Sequence, residues 1–479
     1  MAEGDRQPNQ LLRQARGAMS QEELADRVRA VVYRATGHEA AITSKSISDY
    51  ERGWYRWPHG DVRAALCQIF QVQTAEELGF RKPKRSNKAS VPEAVDLAAL
   101  GEGRVASSAT ESLTVPAGRS FLGAEISAHY SEADRVGSSV LLVDPTDELL
   151  TVLNRPDRRS LVIAVDGDRR QYVADGRRFL DRAGHRMGPQ VVPLANVIDD
   201  LTVGIIWATA NADSALLADD RELVRSREYV ELQAGRPMSQ GARDEVPTLN
   251  PVASQWLGSL FCSRYIVRNL GQLEGAPFFW TREQRGEEAA AWLLWSHKFE
   301  YLRRTSRRFA NMRRGFCIPE DQVVASPRYE RVMLLLAMSL MEAFGIQVEL
   351  SAEPEHAEVE GFVLANKAIM ANWLGSPGLW CVEASVPQAR LTTYRKLAAE
   401  VLAESLTAQR TPVERLAALA AHLDVPWAWF RKRCTELAAA GVDDIAHPRG
   451  RLLSTRGLNT AIRYVAYIDV LEGDDFARR

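Results

Sequence analysis

Cysteine is scarce in this sequence, and its arrangement does not favour pairing. Five cysteines are scattered along the 479 residues with no C-x-x-C spacing: Cys67, Cys262, Cys317, Cys381 and Cys434. That pattern argues against a disulfide framework and against a zinc knuckle. Free thiols are typical of a cytoplasmic protein.

Long hydrophobic segments are also missing. The longest apolar run, VMLLLAMSLMEAFGI at 332–346, carries Glu342 and is shorter than the roughly 20 residues needed to span a bilayer. The start, MAEGDRQPNQ, is acidic and polar where a signal peptide would be basic and then apolar. We therefore expect a cytoplasmic protein without a membrane partner, and a buried helix at 332–346.

Signatures of catalysis are absent as well. The sequence contains no G-x-S-x-G, H-E-x-x-H, P-loop or dinucleotide-binding motif in its second half. His297 and Glu300 are spaced i, i+3 within a helical pattern, which is compatible with metal ligation or an acid–base pair, but no third ligand lies nearby. We expect no catalytic residue, no metal and no cofactor.

Excess charge of either sign is lacking too. The formal net charge is −2, so any nucleic-acid partner must be met by a local patch. With 46% hydrophobic and 25% charged residues, the chain has the composition of a folded protein, and its length indicates several domains.

The first 80 residues have the pattern of about five short helices. The S-x-x-E motif beginning at Ser20 and the T-x-x-E motif beginning at Thr74 are capping boxes, which mark helix starts. Apolar residues recur at helical spacing from Val62 to Phe70. This pattern predicts an all-α domain at residues 1–80.

The polar stretch ITSKSISDYERG, residues 42–53, predicts the third of these helices. Thr43 can cap its start, Ile47 can anchor it in the core, and Gly53 can end it in the left-handed conformation. The outward face would then carry Ser44, Lys45, Ser48 and Asp49. A narrow apolar anchor beneath a wide hydrogen-bonding face suits a helix that contacts base edges in a major groove.

Taken in order, SQEELA at 20–25, ISDYERG at 47–53, Trp57-Pro58 and Glu77-Leu78 resemble the Cro/CI-type (XRE) helix-turn-helix family. The resemblance covers about residues 8–80. It implies that Gln21 and Arg52 contact DNA phosphates, that the four outward residues of the third helix face the bases, and that Arg13 forms a structural ion pair with Glu51. The longer segment VRAVVYRATGHEAA departs from the family's tight turn and predicts that the second helix runs on. A five-helix domain that binds protein instead of DNA remains an alternative.

Residues 81–114 are expected to form a basic, flexible linker. Five positive charges occur in RKPKRSNK at 81–88, and Lys82, Lys84 and Arg85 are candidate phosphate contacts. The same segment also has the composition of an ordinary solvated linker.

The remainder of the chain predicts a large α+β region. We expect an α+β domain at 115–245 and, at 246–479, an α+β sensor and dimerisation region with a helical carboxy-terminal end. Strand-like runs include LVIAVDG at 161–167 and a hairpin around Asn366-Lys367, whereas 199–227 and 329–344 have helical periodicity. This order loosely resembles the effector region of actinobacterial-type helix-turn-helix regulators.

Aromatic residues are concentrated between Trp256 and Tyr301, where ten occur in 46 residues. Such density favours either a hydrophobic ligand pocket or an ordinary core. The candidate pocket residues are Trp280, Trp292, Trp295 and Phe299.

These observations predict a multidomain transcriptional regulator with an amino-terminal helix-turn-helix domain. It would bind a palindromic operator in double-stranded DNA as a homodimer and respond to a small-molecule effector. Two alternatives remain: an enzyme with a recruiting helix-turn-helix module, and a protein-interaction adaptor.

Overall fold

The computed structural model describes residues 8–36, 40, 42–53, 58, 60–80, 95–100, 110–154, 159–185, 188–233, 238–240, 249–373, 380–384 and 386–470. The chain divides into two compact units, Met1–Val91 and Pro92–Arg479. The candidate phosphate contacts Lys82, Lys84 and Arg85 lie outside the described residues.

The described part of the first unit is all helical. It contains four α-helices, α1 (Gln10–Arg16), α2 (Gln21–Thr36), α3 (Ser44–Glu51) and α4 (Gly60–Phe70), followed by a 3-10 turn at Ala75–Leu78. Five helical elements and an extended second helix were expected from the sequence. Their apolar faces meet in one small core that includes Leu12, Leu24, Val28, Ile47 and Leu66.

Local capping explains where these helices begin. The Ser20 hydroxyl accepts the Glu23 backbone N–H at 3.0 Å, as the first capping motif predicts. The Glu23 side chain accepts from Arg27 at 2.9 Å, so the reciprocal half of the box is replaced by an ion pair along the helix. At the second motif, Glu77 accepts from the Thr74 backbone N–H at 3.0 Å.

The second unit combines helices with three mixed sheets, in agreement with the expected α+β composition. Its first part, through residue 240, contains these elements: β1 (Val95–Asp96), β2 (Thr110–Val115), β3 (Ala124–Glu132), β4 (Asp134–Val136), β5 (Val140–Val143), α5 (Asp147–Leu153), β6 (Arg159–Val165), β7 (Gln171–Asp175), α6 (Gly176–His185), β8 (Gln190–Pro193), α7 (Asp200–Ala218), α8 (Asp220–Gln233) and β9 (Met238–Gln240).

After residue 249 the chain forms the elements that surround the aromatic-rich segment. They are α9 (Pro251–Asn269), β10 (Phe278–Glu283), α10 (Gly286–Leu294), α11 (Ser296–Arg308), β11 (Arg313–Cys317), α12 (Glu320–Ala325), α13 (Arg328–Ala343), β12 (Gln347–Ser351), β13 (Phe362–Leu364), β14 (Ala368–Trp373), β15 (Trp380–Glu383), α14 (Gln388–Glu404), α15 (Pro412–His422), α16 (Trp427–Ala440) and α17 (Arg456–Tyr467).

The three sheets have the strand orders β1-β2-β3-β6-β7, β4-β5-β8 and β12-β11-β10-β13-β14-β15-β9. In the seven-stranded sheet, β10, β11 and β12 are parallel, whereas β13 pairs antiparallel with β10. The hairpin between β13 and β14 turns at Asn366-Lys367, as the sequence predicts. Strand β9 pairs with β15 at the edge of this sheet. The strand from residues 238–240 therefore completes a sheet whose other strands all come from residues after position 249.

One large hydrophobic core runs through the second unit, from Leu97 to Ile468. Helix α13 matches the apolar run at 332–346 and is buried, as expected. Among the described residues, α7 is long and apolar enough to cross a membrane, but 83% of its apolar window is buried inside the protein. Burial of this extent is typical of a core helix.

Candidate functional site

Helix α3 presents the polar surface expected from the sequence. Ser44 and Lys45 are exposed in its first turn, Ser48 and Asp49 are half-buried on the next, and Ile47 is fully buried beneath them. We call the four polar residues the α3 surface. Exposed side chains at the amino-terminal end of a helix are the ones that reach base edges when such a helix lies in a groove.

Both ends of α3 are fixed locally. The Thr43 hydroxyl accepts the Ser46 backbone N–H at 3.3 Å, while the Ser46 hydroxyl accepts the Thr43 backbone N–H at 3.2 Å. At the other end Gly53 has a φ of 75°, which an L side chain would strain. The helix is therefore terminated at both ends by the residues that the sequence predicts.

Glu51 connects three helices. Its carboxylate accepts from Arg16 Nε at 2.6 Å, from Arg16 Nη2 at 3.2 Å and from Gln21 Nε2 at 2.8 Å. Arg16 ends α1, Gln21 begins α2 and Glu51 ends α3. This group of three residues, the Glu51 cluster, holds α3 against the two preceding helices.

The sequence predicts an ion pair between Arg13 and Glu51. This prediction is wrong about the arginine, because the partner of Glu51 is Arg16. Arg13 is exposed, one helical turn before the position that reaches the buried carboxylate. Arg16 lies at the end of α1 with a side chain that is only 14% exposed, and it makes the bidentate contact instead.

The two residues expected at phosphates differ in availability. Arg52 follows α3 and is exposed. The Gln21 amide nitrogen already donates one N–H to Glu51, so one further N–H remains for a phosphate.

In the second unit, aromatic residues line a cavity of about 270 Å³. Trp280 comes from β10, Trp292 from α10, and Trp295 from the junction between α10 and α11. We call this space the aromatic cavity. Three of the four candidate pocket residues therefore line one space.

Phe299 does not line the aromatic cavity. Trp292, Trp295 and Phe299 fall at helical spacing in the sequence, but Trp295 is extended, with φ −75° and ψ 118°, and separates α10 from α11. Because the helix is interrupted there, Phe299 packs instead on Phe344, with ring centroids 5.2 Å apart.

Two cations lie in the wall of the aromatic cavity. Lys298 Nζ is 3.8 Å from the centroid of the Trp292 ring, and the Arg314 guanidinium carbon is 4.9 Å from the same centroid. Arg314 is only 3% exposed, and its Nη1 donates to Thr281 Oγ1 at 3.0 Å. Both cations stack on aromatic faces, which offset part of the cost of their burial.

Burial controls ionisation around this cavity. It lowers the pKa of Lys298 to about 7, and the neighbouring Arg314 charge adds to that shift. Burial also raises the pKa of the Tyr301 hydroxyl, although Arg314 opposes that shift. Lys298 is therefore poised to change its charge near neutral pH.

No motif in the sequence marks Arg314 or Lys298. A usable signal was nevertheless present for Arg314, because Met312, Arg314 and Phe316 alternate at the period of a strand and all three are buried. A lone arginine on the apolar side of a strand indicates a buried charge that needs a partner.

His297 and Glu300 line one pocket, but each has a different partner. His297 Nε2 lies 3.0 Å from Ser259 Oγ, and burial holds its pKa well below the ordinary value. Glu300 instead pairs with Arg303 at 2.7 Å. Among the described residues, no group of three or more His, Cys, Asp or Glu side chains is arranged to hold a metal.

Two further polar side chains of the second unit have structural partners. Asp166 accepts the backbone N–H groups of Asp168 and Arg170 at 3.0 and 2.9 Å, which is turn chemistry. In the α15–α16 hairpin, Arg433 is buried and donates to Asp199.

Comparisons with known proteins add no relative: no family model, no curated protein and no solved structure matches the chain. The resemblance of residues 8–80 to the Cro/CI-type family therefore rests on the residues quoted above.

Proposed function

We propose that the protein is a sequence-specific DNA-binding transcriptional regulator that acts as a homodimer. The observation that carries this proposal is the α3 surface: a capped helix, anchored by Ile47 and the Glu51 cluster, that leaves Ser44 and Lys45 exposed. A polar surface held this firmly is suited to reading base edges, since direct readout requires donors and acceptors in fixed positions.

Residues of the first unit have different proposed roles, which follow from their positions on α3 and after it. Lys45 and Ser44 lie in the first turn of α3, where a docked helix approaches the bases. Arg52 follows the helix and would approach the phosphate backbone, which contributes affinity without sequence information. A dimer would place two such helices at the spacing of two half-sites, and a ligand bound by the second unit would change that spacing.

Replacement of Lys45 by Ala is expected to relax sequence preference. Loss of a good base contact costs about 1–3 kcal/mol of discrimination at the base concerned. Replacement of Arg52 by Ala should instead weaken binding to all duplexes and reduce the salt dependence by about one phosphate contact. The measurement is binding of the full chain to a pool of randomised duplexes at several salt concentrations, followed by sequencing of the bound fraction.

Arg27→Ala is the matched control, because Arg27 is exposed on α2 and, within the described part of the unit, pairs with Glu23 along the same helix. This variant should keep both affinity and preference. If the Lys45 and Arg52 variants changed sequence preference and overall affinity in the same way, the proposed placement of α3 against the bases would be contradicted. A wild-type chain that selects no duplex would contradict the proposed function.

A further inference from the structure

The aromatic cavity contains more positive than negative charge. Of the described residues that line it, Lys298 and Arg314 are cationic, and Glu288 is the single carboxylate. The Glu288 side chain is already used at the start of α10, where Oε2 accepts the Arg285 backbone N–H at 2.8 Å. One positive charge is therefore left uncompensated in a largely apolar space.

Two buried donors of Arg314 have no hydrogen-bond partner among the described residues. Nη1 donates to Thr281 and the Tyr301 hydroxyl is a further hydrogen-bond partner of the side chain, but Nε and Nη2 are left over. Nε–H and Nη2–H lie on the same edge of a guanidinium group, and that edge is the one that pairs with both oxygens of a carboxylate. No described carboxylate lies within ion-pair distance of Arg314.

Protein interiors seldom leave a buried charge in this condition, because an unpaired buried ion is costly. Phe279, Trp292 and Tyr301 surround the guanidinium with ring faces, but a ring face contributes less than an ionic partner. Lys298 brings a second cation into the same wall. The described wall of the cavity therefore has one carboxylate, Glu288, for two cations.

The shape and lining of the cavity limit the size and the chemical class of an anion that could bind beside these cations. Its walls are rich in rings, including Trp280, Trp292, Trp295 and Phe362. Its volume of about 270 Å³ is close to the lower end of the roughly 300–1,000 Å³ typical of small-molecule pockets. A flat body of one or two rings can lie between aromatic faces here, with its charged group directed to the cations.

We propose that the aromatic cavity is a binding site for a small aromatic carboxylate, with Arg314 and Lys298 as the groups that recognise its charge. The ring system would contact the tryptophans, and the carboxylate would take the unpaired edge of Arg314. This site goes beyond the proposed DNA binding and does not depend on it.

The test of this proposal is a titration of the full chain, without DNA, with 2-naphthoate and with its neutral isostere 2-naphthamide, by isothermal titration calorimetry at pH 6.5. Naphthoate should bind at least about tenfold more tightly than the amide, since a charge-assisted bidentate contact distinguishes them. Arg314→Met should abolish that difference and leave the affinity for the amide nearly unchanged.

Arg313→Met is the matched control: Arg313 is exposed on the same strand and pairs with Glu349 at 3.6 Å. It should bind both probes like the wild type. Circular dichroism checks folding, and Lys298→Met is the second variant, expected to weaken naphthoate binding even if Arg314→Met does not fold.

Naphthoate affinity should also depend on pH. Lys298 faces Arg314 from β11, Glu288 from α10 and Cys262 from α9. Since its ammonium loses its proton near pH 7, affinity should fall from pH 6 to pH 8.5, by at most about tenfold per unit, and this slope should disappear in Lys298→Met. Equal affinity for the two probes, no binding of either, or equal effects of the Arg313 and Arg314 variants would overturn the proposal.

Discussion

Replacement of Glu51 by Gln is expected to lower the unfolding midpoint of the first unit by about 10–20 °C. A largely buried ion pair that loses one charge costs about 2–3 kcal/mol when its partner keeps some solvent contact. A domain of 60–100 residues loses about 4–8 °C per kcal/mol. Glu51 is 7% exposed and contacts two other helices, so no other single carboxylate in the described part of this unit connects as many elements.

The change should be read in the full chain by hydrogen exchange and mass spectrometry of peptides from α2 and α3. Glu23→Gln is the control, because it makes the same substitution opposite an arginine, but its ion pair with Arg27 is about half exposed on both sides. Exposed pairs of this kind contribute roughly 0–1 kcal/mol. Equal protection in the two variants would show that the Glu51 cluster does not hold the helices together.

The Glu51 cluster also has a defined pH dependence. Burial alone would raise the pKa of Glu51, but the hydrogen bonds from Arg16 and Gln21 outweigh burial and hold the pKa below its ordinary value. Because the unfolded chain binds the proton more readily, the stabilisation is complete above the unfolded pKa of about 4.3 and is lost as the pH falls through the folded pKa. Glu51→Gln should remove this acid-dependent loss.

Features encoded by short stretches were well predicted from the sequence. The caps at Thr43 and Thr74 and the turn at Asn366-Lys367 each depend on residues within four positions of one another. Such interactions form wherever the segment folds, so a local pattern is sufficient to locate them.

Features that depend on packing were predicted less well. Whether Arg13 or Arg16 pairs with Glu51 depends on how two helices far apart in sequence meet, and both arginines lie on α1. The break at Trp295 is another example, since its extended backbone pairs with Leu453, about 160 residues away. Periodicity within one segment contains no information about such a partner.

The aromatic cavity also combines a feature that the sequence predicts with one that depends on packing. The density of tryptophans indicated an apolar space, because that information is compositional. The two cations could not be assigned to it, since Lys298 reaches the space from α11 and Arg314 from β11, and only the tertiary fold brings these elements together.

Replacement of Glu342 by Gln is expected to have the largest effect in the second unit. Glu342 is the charged residue within the apolar run at 332–346, and it is only 4% exposed on α13. Arg415 donates to it from α15 through Nε at 2.8 Å and Nη2 at 2.6 Å, and the Val348 backbone N–H donates at 3.0 Å. The ion pair therefore connects α13, α15 and β12.

Glutamine keeps the shape and an acceptor for Val348 but removes the charge opposite Arg415. An uncompensated buried arginine costs about 3–5 kcal/mol. In a unit of this size the loss corresponds to a midpoint lower by about 4–6 °C in differential scanning calorimetry at a fixed scan rate. Replacing both partners by Met should recover most of it, since an apolar pair leaves no charge behind.

Glu330→Gln is the control on the same helix. Burial raises the pKa of both carboxyl groups, but the hydrogen bonds from Arg415 oppose that shift at Glu342. Burial and the neighbouring Glu287 and Glu288 raise the pKa of Glu330 to about 7, so the folded state disfavours its charge. For a carboxyl whose folded pKa is raised, stability falls as the pH rises from the unfolded pKa to the folded one. At pH 8 Glu330→Gln should therefore unfold at the wild-type midpoint or above it. A midpoint for Glu342→Gln that matched this control would mean that the buried ion pair contributes nothing to the core, and that Arg415 finds an equivalent partner in its backbone contacts to Gln409 and Arg410.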